Sequence, residues 1–273
     1  MARQRMGQHF LVGPGWRTRV LDSLPLRANE TWIEIGAGHG EMTQLLAAPS
    51  RRLISIEADR HLAHDLQTRV RLEPEKWPGV EVVAGDVLKL DLATLASNRF
   101  RIYGNLPYYI TSPILHHLFT FADQIISIHI VVQWEVAARI VARPGHREYA
   151  YLSAACQFYT HPRIVLRLPP GAFRPPPRVT SALLSMELPG ERESLNVPDE
   201  LRFLGFVQAC FSQKRKTLRN NLRAEFPDAV IQTGLSSVGL RPDFRAEQLS
   251  LARFAALFKS LINDGKRALE QFC

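Results

Sequence analysis

The sequence predicts a doubly wound α/β domain followed by a smaller domain made only of helices. Short apolar strand patterns alternate with helical patterns through the first part of the 273-residue chain. The first strand pattern, Thr31–Ile35, leads through a glycine-rich turn into a helical pattern at Glu41–Ala47. A polar run at residues 189–194 then changes the composition, and helical spacing follows. We therefore expect an α/β domain at residues 1–190 and a helical domain at 191–273.

A polar residue stands where each of the later predicted strands ends. The strand pattern at 53–56 is followed by Glu57, the one at 80–83 by Gly85 and Asp86, and the one at 100–104 by Asn105. Open α/β sheets bind ligands at the carboxyl ends of their strands. These positions are therefore expected to line one ligand site.

The spacing of the glycines narrows the ligand class. A dinucleotide-binding turn reads G-x-G-x-x-G, whereas here the third glycine comes one residue early, at Gly40. This spacing disfavours a dehydrogenase and suits a ligand without phosphates, which packs against bare backbone at Gly36 and Gly38. Glu57 lies at about the distance downstream where an acid meets ribose hydroxyls.

The stretch Asn105-Leu106-Pro107-Tyr108-Tyr109 could hold a flat base that carries an amine. The Asn105 side-chain oxygen and the Leu106 carbonyl, held by the rigid Pro107, can both accept hydrogen bonds from one amine, and Tyr108 offers a stacking face. A strand followed by a proline turn is the alternative. In the proline-rich connector at 169–178, Phe173 is likewise either presented at a fixed place or buried in the core.

Charge favours a polyanionic partner such as nucleic acid. The formal net charge is +8, and residues 201–224 contain no acidic residue. Arg215, Arg219 and Arg223 follow helical spacing, while Leu218 and Leu222 are expected to pack inward. The sequence thus predicts a basic helical stripe that binds phosphates, a solvated face being the alternative.

Other signals bear on location and metals. No apolar run approaches the roughly 20 residues needed to span a bilayer, and the N-terminus has no signal-peptide pattern. The three cysteines are far apart, and His116 and His117 are adjacent and cannot share a helix face. We expect a cytoplasmic protein with no membrane partner and no metal site.

The remaining patterns predict further elements. A helix is expected after Ser112 as its N-cap with Pro113 at its first position, and a last helix near Ser250 is expected to bury Phe254 and Phe258. Strands are expected at 127–132, 164–168 and 181–188, and helices at 16–24, 135–143, 149–159 and 200–211.

Several motifs, in this order, resemble the ribosomal RNA adenine N6-dimethyltransferase family, most closely its bacterial small-subunit members. The resemblance runs from about Gly7 to the last helix. The motifs are Gly7-Gln8-His9-Phe10-Leu11, Glu34-Ile35-Gly36-Ala37-Gly38, Ile56-Glu57, Gly85-Asp86, Asn105-Leu106-Pro107-Tyr108, the Phe173-x-Pro-x-Pro-x-Val179 connector and Gln213-Lys214-Arg215-Lys216-Thr217-Leu218.

This resemblance implies a Rossmann-like S-adenosylmethionine-dependent methyltransferase fold with a mostly parallel seven-stranded sheet. It implies dimethylation of two adjacent adenosines in the 3′-terminal hairpin of small-subunit ribosomal RNA, within the immature subunit. S-adenosylhomocysteine would be the product, and the enzyme is expected to be a monomer. The implied cofactor-binding residues are Gln8, His9, Leu11, Gly36, Gly38, Glu57, Asp86, Val87 and Asn105. The implied catalytic residues are Asn105, Leu106, Pro107, Tyr108 and Phe173, and the implied RNA-binding residues are Lys214, Arg215, Lys216, Arg219 and Arg223.

The sequence departs from the family pattern at a few places. His9 stands where the family usually has Asn, and Trp134 stands where it usually has Lys. The pair Ala150-Tyr151 stands where the family usually has Gly followed by another residue. The alternatives are a large-subunit methyltransferase of the macrolide-resistance type, which usually carries Asn-Ile-Pro-Tyr, and a non-catalytic assembly or transcription factor. Tyr109 has no assigned role.

Overall fold

A seven-stranded sheet forms the centre of the α/β part. The computed structural model describes residues 9–270, with side chains described as far as residue 262. The strands in the described residues are β1 (Phe10–Leu11), β2 (Thr31–Ile35), β3 (Arg52–Glu57), β4 (Val80–Ala84), β5 (Phe100–Asn105), β6 (Ile125–Gln133), β7 (His161–Leu168), β8 (Phe173–Arg174) and β9 (Ser181–Glu187). The sheet order is β4-β3-β2-β5-β6-β9-β7, while β1 and β8 pair separately.

Pairing is parallel from β4 through β6 and antiparallel where β9 joins β6 and β7. The helices are α1 (Pro14–Asp22), α2 (Glu41–Ala47), α3 (Arg60–Leu72), α4 (Leu92–Ala96), α5 (Thr111–Phe119), α6 (Trp134–Val141), α7 (Tyr151–Tyr159), α8 (Arg192–Leu195), α9 (Glu200–Cys210), α10 (Leu218–Leu222), α11 (Asp228–Ser237) and α12 (Leu251–Glu270). The predicted strands and most predicted helices are thus present, with ends shifted by a few residues.

The chain divides into two compact units. One comprises residues 1–137 and 160–188 and holds the sheet, and the other comprises residues 138–159 and 189–273. Within the described residues the second unit is built from helices alone. Residues 138–159 group with the C-terminal helices although they precede β7 in the chain. The fold class is confirmed, and the domain boundary at residue 190 stays a prediction.

The core of the sheet unit holds β2 between β3 and β5. All five residues of β2 are buried. Trp32 packs in one cluster with Leu46 of α2, Leu53 of β3 and Tyr103 of β5. Each such side chain contributes roughly 1.5–3 kcal/mol when it is fully buried. This packing places the carboxyl ends of β2, β3 and β5 side by side.

Capping at α3 fixes the chain just beyond β3. The Asp59 side chain accepts hydrogen bonds from the backbone N–H groups of His61 and Leu62, at 2.8 and 3.3 Å. Ala63 and Leu66 on the inner face of α3 are fully buried. The turn that carries Glu57 is therefore held from both sides.

The N-cap predicted for α5 is wrong. This helix begins at Thr111, and Ile110 occupies the cap position without a side-chain hydrogen bond. A 3-10 helix at Tyr108–Ile110 precedes it directly, and the Ile110 N–H donates to the Pro107 carbonyl at 3.2 Å. Because this turn already winds the chain into the helix, Ser112 is not needed as a cap.

The continuous basic stripe predicted for residues 215–223 is also wrong. The helix there, α10, covers only Leu218–Leu222, and the Thr217 hydroxyl caps its start by accepting from the Asn220 N–H at 3.4 Å. Arg215 precedes this cap in a turn and does not share a helical face with Arg219. Leu218 and Leu222 are fully buried, as predicted.

Candidate active site

A cavity opens at the carboxyl ends of β2, β3, β4 and β5. It contains about 810 Å³ of empty space, a figure that includes the solvent at its open mouth. Ten of the residues expected in the site line it, namely His9, Gly36, Gly38, Glu57, Asp86, Val87, Asn105, Leu106, Pro107 and Tyr108. Sequence reasoning also left Phe10 and Tyr109 without a role, and both line the cavity.

Two positions of the glycine turn require glycine. Gly38 has φ +57°, and a Cβ there would lie 2.8 Å from Cε1 of Phe10. Gly40 has φ +84°, and a Cβ there would lie 2.6 Å from Cδ1 of Leu66. A side chain at either position would combine backbone strain with a clash. The turn therefore brings bare backbone to the cavity on one side and to α3 on the other.

Glu57 is held rigidly at the end of β3. Its Oε2 accepts a hydrogen bond from the Gly38 N–H at 2.8 Å, and its Oε1 accepts one from the Asp59 N–H at 2.9 Å. The residue is only 3% exposed. Each carboxylate oxygen retains a further lone pair, so the group can still accept bonds from a pair of hydroxyls. Further along the edge, the exposed Asp86 precedes the buried Val87.

Asn105 is oriented by the backbone of His9. Its Nδ2 donates to the His9 carbonyl at 2.7 Å. Because a carbonyl can only accept, the amide nitrogen must face His9, and the side-chain oxygen points to the other side of the amide. Leu106 follows, is buried, and donates its N–H to the Val131 carbonyl at 3.2 Å. The two acceptors expected to bind an amine, the Asn105 side-chain oxygen and the Leu106 carbonyl, thus belong to residues that are each held by a hydrogen bond.

The two aromatic residues expected to stack on a base lie in different environments. The Tyr108 hydroxyl bonds with Oγ of Ser181 at 2.7 Å, burial raises the pKa of that phenol, and the ring stacks on His9 with centroids 5.4 Å apart. Phe173 is only 2% exposed, in the core cluster that includes Leu11. Tyr108 is therefore available at the cavity, while stacking by Phe173 stays a prediction that requires it to leave the core.

The short pair of β1 and β8 brings the N-terminal arm to the cavity. Leu11 pairs with Phe173 and Phe10 with Arg174. The Phe10 ring packs on His39 with centroids 4.8 Å apart, so it lies over the glycine turn. Leu11 is buried, and Gln8 lies outside the described residues. The imidazole Nδ1 of His9 lies 2.7 Å from the Pro175 carbonyl.

Glu34 is a buried acid beneath the glycine turn that sequence reasoning left without a role. Its Oε2 accepts hydrogen bonds from the hydroxyls of Thr43 at 2.6 Å and Ser55 at 2.8 Å. Desolvation raises the pKa of Glu34 to about 7 against the lowering effect of these bonds, and the Glu57 and Glu41 charges add to the rise. Glu34 and Asn105 line one small recess beside Gly36.

Two of the arginines expected to bind RNA are already paired within the chain. Arg219 binds both carboxylate oxygens of Asp228 through Nε and NH2, and Arg223 Nε lies 3.1 Å from the same carboxylate. The hydrogen bond from Arg219 is the main reason why the pKa of Asp228 is lowered. Lys214 Nζ donates to the Arg147 carbonyl at 2.7 Å, while Arg215 and Lys216 are exposed.

The described residues also bear on the predictions about membrane spans, metal sites and cysteines. No helix among them has the length and apolar character needed to cross a membrane. Between residues 9 and 262, His, Cys, Asp and Glu side chains do not form a group of three that could hold a metal ion. Burial raises the pKa of the Cys156 and Cys210 thiols, which favours their protonated form.

Fold and site together define a class, that of the S-adenosylmethionine-dependent methyltransferases. The family is more specific: the model described as "Ribosomal RNA adenine dimethylase" matches residues 1–263, and the chain belongs to that family. The resemblance stated from the motifs and the predicted enzyme class are thereby confirmed.

Curated relatives match over nearly the whole chain. It is 42% identical over 262 residues to ribosomal RNA small subunit methyltransferase A of Acidobacterium capsulatum, covering 95% of this chain and 91% of the relative. It is 40% identical over 273 residues to the protein of the same name from Koribacter versatilis, covering 95% and 94%.

Solved structures share the fold. A dimethyladenosine transferase from Plasmodium falciparum aligns with a TM-score of 0.81 at 23% identity, covering 94% of this chain and 98% of that one. The 23S rRNA methyltransferase ErmE aligns with a TM-score of 0.68 at 24% identity, covering 93% and 99%. At these identities the likeness supports the fold alone.

Proposed function

We propose that the protein transfers methyl groups from S-adenosylmethionine to N6 of two adjacent adenosines in the 3′-terminal hairpin of small-subunit ribosomal RNA, in the immature subunit. The observation that carries this proposal is the Asn105 amide, whose nitrogen is tied to the His9 carbonyl while its oxygen is left for an amine. The names of the curated relatives support the choice of the small subunit.

Residues along the strand ends fit the parts of the cofactor. Gly36 and Gly38 would leave room for its amino acid part, Glu57 would accept hydrogen bonds from the ribose hydroxyls, and Asp86 with Val87 would hold the adenine. The cofactor supplies an electrophilic methyl group on a sulfonium sulfur. His9 and Phe10 line the same cavity and would close over the cofactor.

At the target amine, Asn105 and Leu106 do the positioning. The lone pair of an adenine amine is delocalised into the ring, which makes it a poor nucleophile. Hydrogen bonds from the amine to the Asn105 side-chain oxygen and the Leu106 carbonyl draw its hydrogens out of the ring plane. Holding the amine in line with the methyl group then supplies much of the rate. Both acceptors are neutral, so the amine is not deprotonated before it reacts.

The target base must leave the RNA helix to reach this site. Enzymes that modify a base unstack it and hold it in a pocket, at a cost of a few kcal/mol. Tyr108 lines the cavity with its hydroxyl bonded to Ser181, and its ring would stack on the extruded adenine. A base–aromatic stack of about 1–3 kcal/mol offsets part of that cost.

Labelling of both ribosomal subunits tests this function. Purified protein is incubated with labelled S-adenosylmethionine and separately with undermethylated small and large subunits, and the modified bases are mapped. We expect label in small-subunit RNA only. Label in large-subunit RNA would favour the macrolide-resistance activity, and cofactor binding without transfer to either subunit would favour a non-catalytic assembly factor.

Glu57→Ala is expected to weaken cofactor binding about 10- to 100-fold, the effect of a net loss of one hydrogen bond to a charged group at about 1.5–3 kcal/mol. Isothermal titration with S-adenosylhomocysteine measures this affinity. Glu81→Ala, at an exposed acid on the neighbouring strand β4, is the control and should leave it unchanged. Equal affinity of wild type and Glu57→Ala would remove Glu57 from the cofactor site.

RNA affinity is expected to fall steeply with salt, because phosphate contacts release counterions. In the double variant Arg215→Ala, Lys216→Ala the slope of log affinity against log salt should flatten by about one to two. Arg241→Ala, which removes an arginine paired with Asp243, serves as the control. An unchanged slope in the double variant would place both residues outside the RNA contact.

A further inference from the structure

An exposed aromatic side chain lies at the same sheet edge as Tyr108. Trp134 directly follows β6 and is 37% exposed. The backbone N–H of Trp134 donates to the Thr180 carbonyl at 2.9 Å, and its neighbour Gln133 pairs with Ser181. Ser181 in turn holds the Tyr108 hydroxyl. One short chain of contacts therefore connects Trp134 to the residue proposed to stack on the target base.

The guanidinium group of Arg167 lies over the indole ring of Trp134. The guanidinium carbon of Arg167, on β7, lies 4.9 Å from the centroid of the indole. A cation over an aromatic ring stabilises the pair by about 0.5–1 kcal/mol at an exposed site and holds the ring in one orientation. Nothing in the cavity chemistry uses this pair, since neither residue lines the cavity.

The surrounding segment is strongly basic. Residues 161–186 include four arginines and no acidic residue. Arg167, Arg174 and Arg178 are exposed, and within residues 9–262 no ion pair involves them. This contrasts with Arg219 and Arg223, which share Asp228. The sheet unit thus combines an ordered aromatic face with unpaired positive charge.

From this combination we infer that Trp134 stacks on an unpaired nucleotide flanking the target adenosine, while Arg167, Arg174 and Arg178 contact the adjoining phosphates. Proteins that bind single-stranded nucleic acid pair aromatic stacking faces with a basic groove. Extruding the target base also leaves its neighbours unstacked, so a second stacking surface recovers part of that cost. This inference rests on the proposed function and gives Trp134 a positioning role without contact with the reacting atoms.

The test is steady-state methyl transfer to undermethylated small subunits by wild type, Trp134→Ala and Trp134→Phe. For Trp134→Ala we expect KM to rise about tenfold, the size of one base–aromatic stack, with kcat unchanged. Trp134→Phe keeps a flat ring and should restore most of the affinity. Leu72→Ala, at an exposed residue of α3 in the same unit, should match wild type.

Three results would overturn the inference: an unchanged KM in Trp134→Ala, an equal rise in Trp134→Ala and Trp134→Phe, or a fall in kcat alone. Unfolding temperature and affinity for S-adenosylhomocysteine, measured on each variant, separate a loss of stacking from a loss of fold. Absence of methyl transfer by wild type would instead contradict the proposed function, so the two failures are distinguishable.

Discussion

Asn105→Ala is expected to reduce kcat for methyl transfer by about 10²–10³-fold, the cost of removing one fixed polar group that acts on the reacting atoms. The variant loses the side-chain oxygen that accepts a hydrogen of the target amine. It also loses the bond from Nδ2 to the His9 carbonyl, so the N-terminal arm is less well fixed at the cavity. The measurement is a single-turnover rate at saturating cofactor with undermethylated small subunits.

A matched control exists in the same unit. Asn98 is an exposed asparagine between α4 and β5, and Asn98→Ala should react at the wild-type rate. Asn105→Asp is a second informative change, since a carboxylate cannot donate to the His9 carbonyl, and we expect it to be slow as well. Full dimethylation by purified Asn105→Ala protein would eliminate the proposed mechanism.

Wild-type protein is expected to lose about 3 kcal/mol of unfolding free energy as the pH rises and Glu34 ionises, and Glu34→Gln is expected to abolish this loss. Burial raises the pKa of Glu34 from 4.5 to about 7, so the folded state binds this proton more tightly than the unfolded state. The contribution to stability is complete below pH 4.5 and is lost as the pH rises through 7. A shift of about 2.5 units corresponds to roughly 3 kcal/mol at 1.36 kcal/mol per unit. Glutamine keeps an oxygen for the Thr43 and Ser55 hydroxyls without a charge.

Urea unfolding of wild type and Glu34→Gln from pH 5 to pH 8 measures this effect. The unfolding free energy of the variant minus that of wild type should increase by about 2–3 kcal/mol from pH 5 to pH 8. Titration of other groups cancels in the difference between the two proteins. A difference that does not change with pH would mean that Glu34 is ionised in the folded protein throughout.

Much of the fold could be predicted because the signals are local. A short apolar strand pattern and a glycine turn predicted β2 and α2 at Thr31–Ile35 and Glu41–Ala47, where the structure has them. Parallel strands in a doubly wound sheet end at one edge, so Glu57, Asp86 and Asn105 were expected to meet, and all three line one cavity. The roles of these residues stay predictions until they are tested.

What could not be predicted depends on contacts between distant segments. Phe10 reaches the glycine turn because β1 pairs with β8, more than 160 residues further along the chain. The burial of Phe173 follows from the same pairing and its cluster with Leu11. The Thr217 cap interrupts the basic stripe, and Asp228, an acid beyond the acid-free residues 201–224, pairs with Arg219. Sequence spacing contains none of this information.

The most direct measurement is nucleoside mass spectrometry with site mapping of small-subunit RNA after reaction with the protein and S-adenosylmethionine. We predict N6,N6-dimethyladenosine at two adjacent positions in the 3′-terminal hairpin with wild type, and mostly unmodified adenosine at both positions with Asn105→Ala after the same short reaction time. Methylation at a ring nitrogen, or dimethyladenosine formed equally well by Asn105→Ala, would contradict a site in which Asn105 presents the exocyclic amine to the methyl group.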